Sequence, residues 1–358
     1  MRPGSVMSSR VLLAATSFRA GNGGIARVAR LTARALATGR PETRTDAISL
    51  LDDDPVDDLG VRVTVTHSSK PRFALALHRA ALGHSRFVYD FAGIARAHPR
   101  LPPLRRPFAV WMHGVEVWED ARADRLRALR SADLVLCNSH HTRQRAEELH
   151  GPLRNVRTCW LATEQDDAPP PPERRGPPTV LIVGRLDEGA YKGHDALLEA
   201  WPGVVSAVPD ARLVVVGGGS LLSSVRGAAS RSSVAARIEV RGFVPEDRMP
   251  GLWDAATVFA MPSRGEGFGL VYVEAMRRAI PVVASVHDAG REVNVDGVTG
   301  YNVDLARPGE LTERLIHLLR NDADARALGQ NARARWQEHF RMSAFRERFL
   351  EATREFLA

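Results

Sequence analysis

Residues 258–276 read V-F-A-M-P-S-R-G-E-G-F-G-L-V-Y-V-E-A-M. Val258–Met261 is a continuous apolar run of strand length, and the segment from Leu270 has helical composition. Between them lies a loop punctuated by Gly265, Gly267 and Gly269. A buried strand, a glycine loop and a helix are the repeating unit of a parallel sheet covered on both faces. Glycines there let backbone amides approach a ligand from a helix start, which suits an anion or a ring of hydroxyls. Glu266 sits in the loop, and Glu274 falls eight residues on, about two turns into the helix. Two carboxylates so spaced can hold two ends of one polyhydroxylated ligand. An ordinary glycine-rich turn with a capping glutamate is the simpler alternative.

The same rhythm runs outward. Val180–Val183, Arg212–Val216, Ile238–Val240 and Pro281–Ala284 are further short apolar runs, with a helix expected from about Asp195 to Val205. Upstream, Val11–Ala15, Phe108–Met112 and Leu134–Cys137 read as strands, and Ile25–Ala37 has near-helical apolar spacing after the turn Gly21–Gly24. With 358 residues the chain is too long for one ordinary domain. The clearest boundary is Glu164–Pro178, with four consecutive prolines, a stiff exposed connector. The expected organisation is a Rossmann-like domain over 1–163, a linker over 164–178, a second Rossmann-like domain over 179–335, and a last helix over 336–358. That helix carries Trp336, Phe340, Phe345, Phe349 and Phe356 mostly four apart, so one face must be buried. Ligands of such α/β folds bind at the carboxyl ends of the strands, so a cleft between the domains is the expected site.

Hydrophobic residues make up 44% and charged residues 25% of the chain, which excludes a disordered or fibrous protein. No apolar stretch approaches the 18 residues a membrane span needs, and the run at Val11 is too short for a secretory core. Cys137 and Cys159 cannot build a disulfide framework, so a cytoplasmic, reduced chain is expected. Residues 1–163 carry 25 basic against 15 acidic side chains, a balance of +10, and the remainder balances to −3. The asymmetry points to a polyanionic partner for the first half, with Arg27, Arg30 and Arg34 on one helical face and Arg100, Arg105 and Arg106 in a proline-rich loop. An arginine-biased composition explains it equally well, since only Lys70 and Lys192 are lysines. No nucleic-acid fold signature is present. Asp52-Asp53-Asp54 reads as a solvated acidic loop rather than a cation site.

At Gly265–Met276 the sequence resembles the retaining glycosyltransferases of family 4, which share the GT-B fold. Their hallmark is a pair of glutamates separated by seven residues, here Glu266 and Glu274. The run V-G-R-L-D-E-G-A-Y-K-G from Val183 to Gly193 is similar to the family's strand-end arginine and downstream lysine, here Arg185 and Lys192. Gly242-Phe243-Val244 resembles the segment beside the nucleotide base, and the first half matches more loosely through Gly23-Gly24 and Met112-His113-Gly114.

The resemblance implies a retaining, metal-independent enzyme with no cofactor, moving a sugar from a nucleoside-diphosphate donor to a hydroxyl of a sugar, lipid-linked or other acceptor. It implies that a C-terminal helix crosses back to the first domain. Arg185 and Lys192 would clamp the diphosphate, whose charge grows as the glycosidic bond breaks. Glu266 would bind the donor sugar and Glu274 the ribose. The amides of Gly267, Phe268, Gly269 and Leu270 would line the sugar and phosphate, Gly242 and Phe243 the base, and Gly23 and Gly24 the phosphates. His113 would face the reacting centre. The basic half adds the expectation of an anionic acceptor or peripheral contact with an anionic membrane at its inner face. A nucleotide-sugar epimerase, a phosphorylase or a non-catalytic sugar-nucleotide-binding subunit are the alternatives on this fold.

Overall fold

Among the described residues, seven strands form the first sheet: β1 (Arg10–Ala15), β2 (Arg44–Ser49), β3 (Arg62–Val65), β4 (Arg86–Tyr89), β5 (Phe108–Met112), β6 (Leu134–Cys137) and β7 (Val156–Thr158). All pairings are parallel, in the order β3-β2-β1-β4-β5-β6-β7. A second, six-stranded sheet holds β8 (Thr179–Val183), β9 (Arg212–Val216), β10 (Ile238–Gly242), β11 (Val258–Ala260), β12 (Val282–Ser285) and β13 (Gly300–Val303). Its order is β10-β9-β8-β11-β12-β13, again all parallel. Strand order reverses between β1 and β4 in one sheet and between β8 and β11 in the other. The carboxyl ends flanking such a reversal leave a crevice.

In this computed structural model the first compact unit is Met1–Glu164 with Met342–Ala358, and the second is Gln165–Arg341. Residues 10–39, 43–119, 121–174, 176–188 and 192–358 are described. The extreme start of the sequence and residues 189–191, inside the run from Val183 to Gly193, lie outside them. Within the connector expected over 164–178, Asp167 and Arg174 bond to residues of the second unit. Arg277 Nε donates to the Asp167 carbonyl at 2.8 Å, and Arg174 pairs with Asp322 at 3.0 Å.

The sequence reading missed β2, β3, β4, β7 and β13. Each has only three to six residues, and β3 alternates exposed and buried positions instead of forming an apolar run. The single helix expected over the last aromatic stretch is three: Asp322–His339, Met342–Ala352 and Arg354–Leu357. The break follows from where the aromatics go. Trp336 and Phe340 are buried in the second unit, where Phe340 meets Phe268 edge to face. Phe345 and Phe349 are buried in the first, stacked on Trp111 with centroids at 6.2 and 6.4 Å. The helix Met342–Ala352 packs along the helix Gly23–Gly39.

Candidate active site

In the second unit the sequence-predicted residues gather at the carboxyl ends of β8, β9, β10 and β11. Gly193 has φ +87°, and a Cβ there would lie 2.4 Å from the Pro262 carbonyl oxygen, so only glycine lets this turn sit on the end of β11. The result places Lys192 beside Glu266, and Nζ pairs with Oε2. Both side chains are mostly covered, at 18% and 19% exposure. Arg185 is different. It is 79% exposed and its Nε donates to Asp187 Oδ2 at 2.7 Å. Asp187 also accepts from the Ser220 amide, and that bond, with Arg185, holds its carboxyl below the usual range.

The helix Leu270–Arg277 starts from Gly269 at φ +93°, where a Cβ would strike the Tyr272 ring at 2.1 Å. The first amides of a helix have no intrahelical acceptor, so Gly269 and Leu270 present backbone N–H donors at this end. The Phe268 ring itself is buried. Gly267 is buried in the same loop, and Glu274 is half-buried on the second turn. Gly242 ends β10 and its carbonyl accepts from Gly217 at 2.8 Å. Next to it Phe243 stands 73% exposed.

One residue here escaped the sequence reading. Asp288, after β12, is fully buried, and its two oxygens accept the amides of Glu266 at 2.8 Å and Gly290 at 2.9 Å. Burial pushes its carboxyl up to about 7, and the nearby Glu266 charge adds to the rise. Its place just past a parallel strand was the only available pointer.

The first unit has its own cluster at the ends of β1, β4, β5 and β6. Gly23 and Gly24 open the helix Gly23–Gly39, with no atom within 4 Å of where a Cβ would stand on either. His113 Nε2 lies 2.6 Å from the Asp90 carbonyl oxygen. A carbonyl only accepts, so Nε2 carries a proton and donates it, leaving Nδ1 as the ring's other nitrogen. Glu116 Oε1 accepts the His113 amide at 2.6 Å, and Asn138 Nδ2 donates to the His113 carbonyl at 2.8 Å. The Asp90 carboxylate is fully buried and accepts from the Thr16 amide at 2.7 Å and the Thr16 hydroxyl at 3.3 Å. Burial pushes it up to about 8.

Two expectations are corrected in this unit. Asp52 is not solvated. It is buried and accepts from Ser17 Oγ at 2.5 Å, the Phe18 amide at 2.6 Å and Ser49 Oγ at 2.7 Å, so it pins the loop ahead of Gly23. Arg30 and Arg34 are not surface cations awaiting an anion. Arg30 is buried, with Nε donating to both Glu164 oxygens at 2.9 Å and Nη2 to Asp58 at 2.6 Å, and Arg34 shares both acids. Arg106 Nη1 is spent on the Pro103 carbonyl at 2.7 Å, while Arg100 and Arg105 are exposed. Among the described residues no helix is long and apolar enough to cross a membrane.

Residues 164–335 match the family model "Glycosyl transferases group 1". The chain is 32% identical over 238 residues to a GDP-mannose-dependent alpha-(1-6)-phosphatidylinositol monomannoside mannosyltransferase of Mycolicibacterium smegmatis, spanning 61% of this chain and 62% of that one. It is 39% identical over 148 residues to a phosphatidyl-myo-inositol mannosyltransferase of Mycobacterium leprae, 40% of this chain and 38% of that protein. The chain thus spans less than two thirds of the length of these relatives. A Mycobacterium tuberculosis protein of the same description as the first is 29% identical over 92% of this chain and 95% of its own. Among solved structures, sucrose-phosphate synthase from Thermosynechococcus elongatus superposes with a TM-score of 0.81 at 21% identity, covering 97% of this chain and 99% of that one. Anabaena Alr3699/HepE in complex with UDP and glucose does so with 0.78 at 18%, covering 97% and 100%. Residues 164–335 thus match the group 1 glycosyltransferase model, and the chain, with its two parallel Rossmann-like sheets, has the GT-B fold.

Proposed function

We propose that the chain transfers a hexosyl group from a nucleoside-diphosphate sugar to an acceptor hydroxyl, with retention of anomeric configuration and without a metal ion. GDP-mannose is the first donor to offer and an inositol phospholipid the first acceptor, because the relatives are described by those substrates. The observation that carries the reading is the Lys192–Glu266 pair at the strand ends of the group 1 domain. Donor binding exchanges that pair: the ammonium turns to the diphosphate and the carboxylate accepts from sugar hydroxyls. Arg185, exposed on Asp187, swings to the second phosphate. Glu274 accepts from the ribose, and the exposed ring of Phe243 lies against the base. Within the first unit, Gly23 and Gly24 would offer amides to an anionic group, and His113 would present Nδ1 to an acceptor.

In the chemical step the acceptor oxygen bonds to the anomeric carbon on the face the diphosphate leaves. The carbon–oxygen bond to the diphosphate breaks, and a phosphate oxygen takes the acceptor proton. The Lys192 and Arg185 cations, once turned to the diphosphate, stabilise the charge that gathers on the leaving group. The test is turnover of GDP-mannose and UDP-glucose with phosphatidylinositol vesicles in excess EDTA, with the product anomer read by NMR. An inverted product, or activity that EDTA abolishes and Mg²⁺ or Mn²⁺ restores, overturns the mechanism.

A further inference from the structure

Asp288 does more than fill the core. It is fully buried between the loop that carries Glu266 and the short helix Gly290–Val293, and no lysine or arginine pairs with it among the described residues. A buried carboxylate without a cation is costly, so the bonds it accepts must hold it. Oδ2 takes the amide of Glu266, 22 residues away in sequence, and Oδ1 takes the amide of Gly290, two residues on. The Ser263 hydroxyl also bonds it, while Ser263 Oγ accepts the Gly265 amide at 3.1 Å. Thus Asp288 is joined to both sides of the turn Ser263–Glu266. Gly290 closes the other side, where an added Cβ would lie 3.1 Å from both the Asp288 carboxylate and the Tyr272 ring.

We propose that Asp288 is a positioning residue for Glu266: its ionised carboxylate, by accepting the Glu266 amide, fixes the loop from which the Glu266 side chain reaches the donor sugar. The proposal rests on the reading of Glu266 as a donor-sugar contact. It follows that the site is competent only with Asp288 ionised. Protonation turns one oxygen into an O–H donor that faces an amide N–H, so one of the two amides loses its acceptor. The Gly290 bond closes a two-residue turn, whereas the Glu266 bond spans separate elements and gives way first.

The groups around it set where this happens. Glu266 faces it from the β11 side with its charge compensated by Lys192, and Tyr272 faces it from the helix Leu270–Arg277. The Tyr272 hydroxyl is committed to the Met261 carbonyl at 2.6 Å. His287, next in the chain, is turned to Asp304 at 3.2 Å and the Leu305 amide at 3.0 Å, with Arg264 and Arg291 nearby. Burial with a neighbouring carboxylate keeps the Asp288 proton on to about pH 7.

Two measurements test it. The first is hydrogen exchange of the ligand-free protein over residues 262–270, corrected for intrinsic rates. In wild type, protection there should fall at least tenfold between pH 8 and pH 6 while β9 stays protected. Asp288→Asn, which puts an NH₂ where an amide must be accepted, should show the exposed state at both pH values. The second is the donor kcat/KM against pH. Wild type should lose about tenfold per unit below pH 7, and Asp288→Asn should be low and flat. Unchanged exchange in wild type across this range overturns the ionisation requirement, and an Asp288→Asn that keeps wild-type protection over 262–270 at pH 8 overturns the positioning role. An acid limb that survives in Asp288→Asn overturns it too. Exchange that behaves as expected, with no turnover of any sugar nucleotide, overturns the transferase reading and leaves the Asp288–Glu266 coupling standing.

Discussion

Lys192 and Glu266, 74 residues apart in sequence, form an ion pair that ties the start of one helix to the loop before another. The pair is mostly covered, so each partner keeps the other's charge compensated where solvation is poor. On the proposed reading, Lys192→Ala removes a transition-state cation, and it leaves the Glu266 carboxylate partly buried without its ion-pair partner. The expected result is a loss of about 10²–10³ in donor kcat/KM, the usual size for one charge-stabilising donor. Lys192→Arg should recover only part of it, because a planar fork does not replace a compact ammonium. A variant within threefold of wild type would remove Lys192 from the site.

Glu274 offers a contrast. A carboxylate that binds the ribose contributes equally in the ground and transition states, so Glu274→Ala should raise the donor KM about tenfold with kcat nearly unchanged. Steady-state kinetics at varied donor concentration decide it. A fall in kcat at constant KM would move Glu274 from the ribose to the reacting centre.

Asp90 gives a pH prediction in the first unit. Its folded carboxyl keeps a proton to about pH 8, whereas the unfolded chain loses it near 3.8. Between those values the folded state binds the extra proton, so stability falls as pH rises, by about 1.4 kcal/mol per unit from this group alone. The loss levels off above pH 8. Asp90→Asn mimics the protonated form: its carbonyl can accept the Thr16 amide and its NH₂ can donate to the Thr16 hydroxyl. Denaturant melts at pH 5, 6.5 and 8 should show the variant gaining on wild type at each step. Parallel curves would mean that Asp90 is already ionised at pH 5.

What the sequence made legible depended on spacing within one element. Glu266, Gly269 and Glu274 lie in one strand–loop–helix unit, and Lys192 follows its strand by a single loop, so all could be read along the chain. Asp288 and Asp90 could not, because their partners Glu266 and Thr16 are brought to them only by sheet pairing across β11–β12 and β1–β4. The charge of Arg30 misled for the same reason. Its neutralising partner Glu164 is 134 residues away. Phe345 and Phe349 read correctly as buried, but period alone could not say that Trp336 and Phe340 serve a different core.

That division of the aromatics has an energetic consequence. Phe349→Ala empties a site stacked on Trp111 and Phe345, and truncations of this kind cost about 3–5 kcal/mol. The loss should fall on the first unit only. Calorimetry resolving two transitions should show one shifted and the other fixed. A shift of both would place Phe349 in a core shared by the whole chain.

The basic loop of the first unit is the remaining candidate for contact with an anionic bilayer. Arg100 and Arg105 are exposed there, flanking Leu101 at 78% exposure and the prolines 102 and 103. Arg30 and Arg34 no longer count, since Glu164 and Asp58 pair with them, and Arg106 Nη1 is turned back to the Pro103 carbonyl. Two cations and one leucine make a weak, reversible anchor, and removing both charges should lower vesicle binding by about tenfold. Reversal in Arg100→Glu/Arg105→Glu should lower it further. Co-sedimentation with phosphatidylinositol-containing vesicles at 50 mM salt should show binding that phosphatidylcholine vesicles lack. At 1 M salt the Debye length is ~3 Å and the binding should vanish. Equal recovery of wild type and the double variant on anionic vesicles would assign the loop's arginines to composition rather than to a membrane.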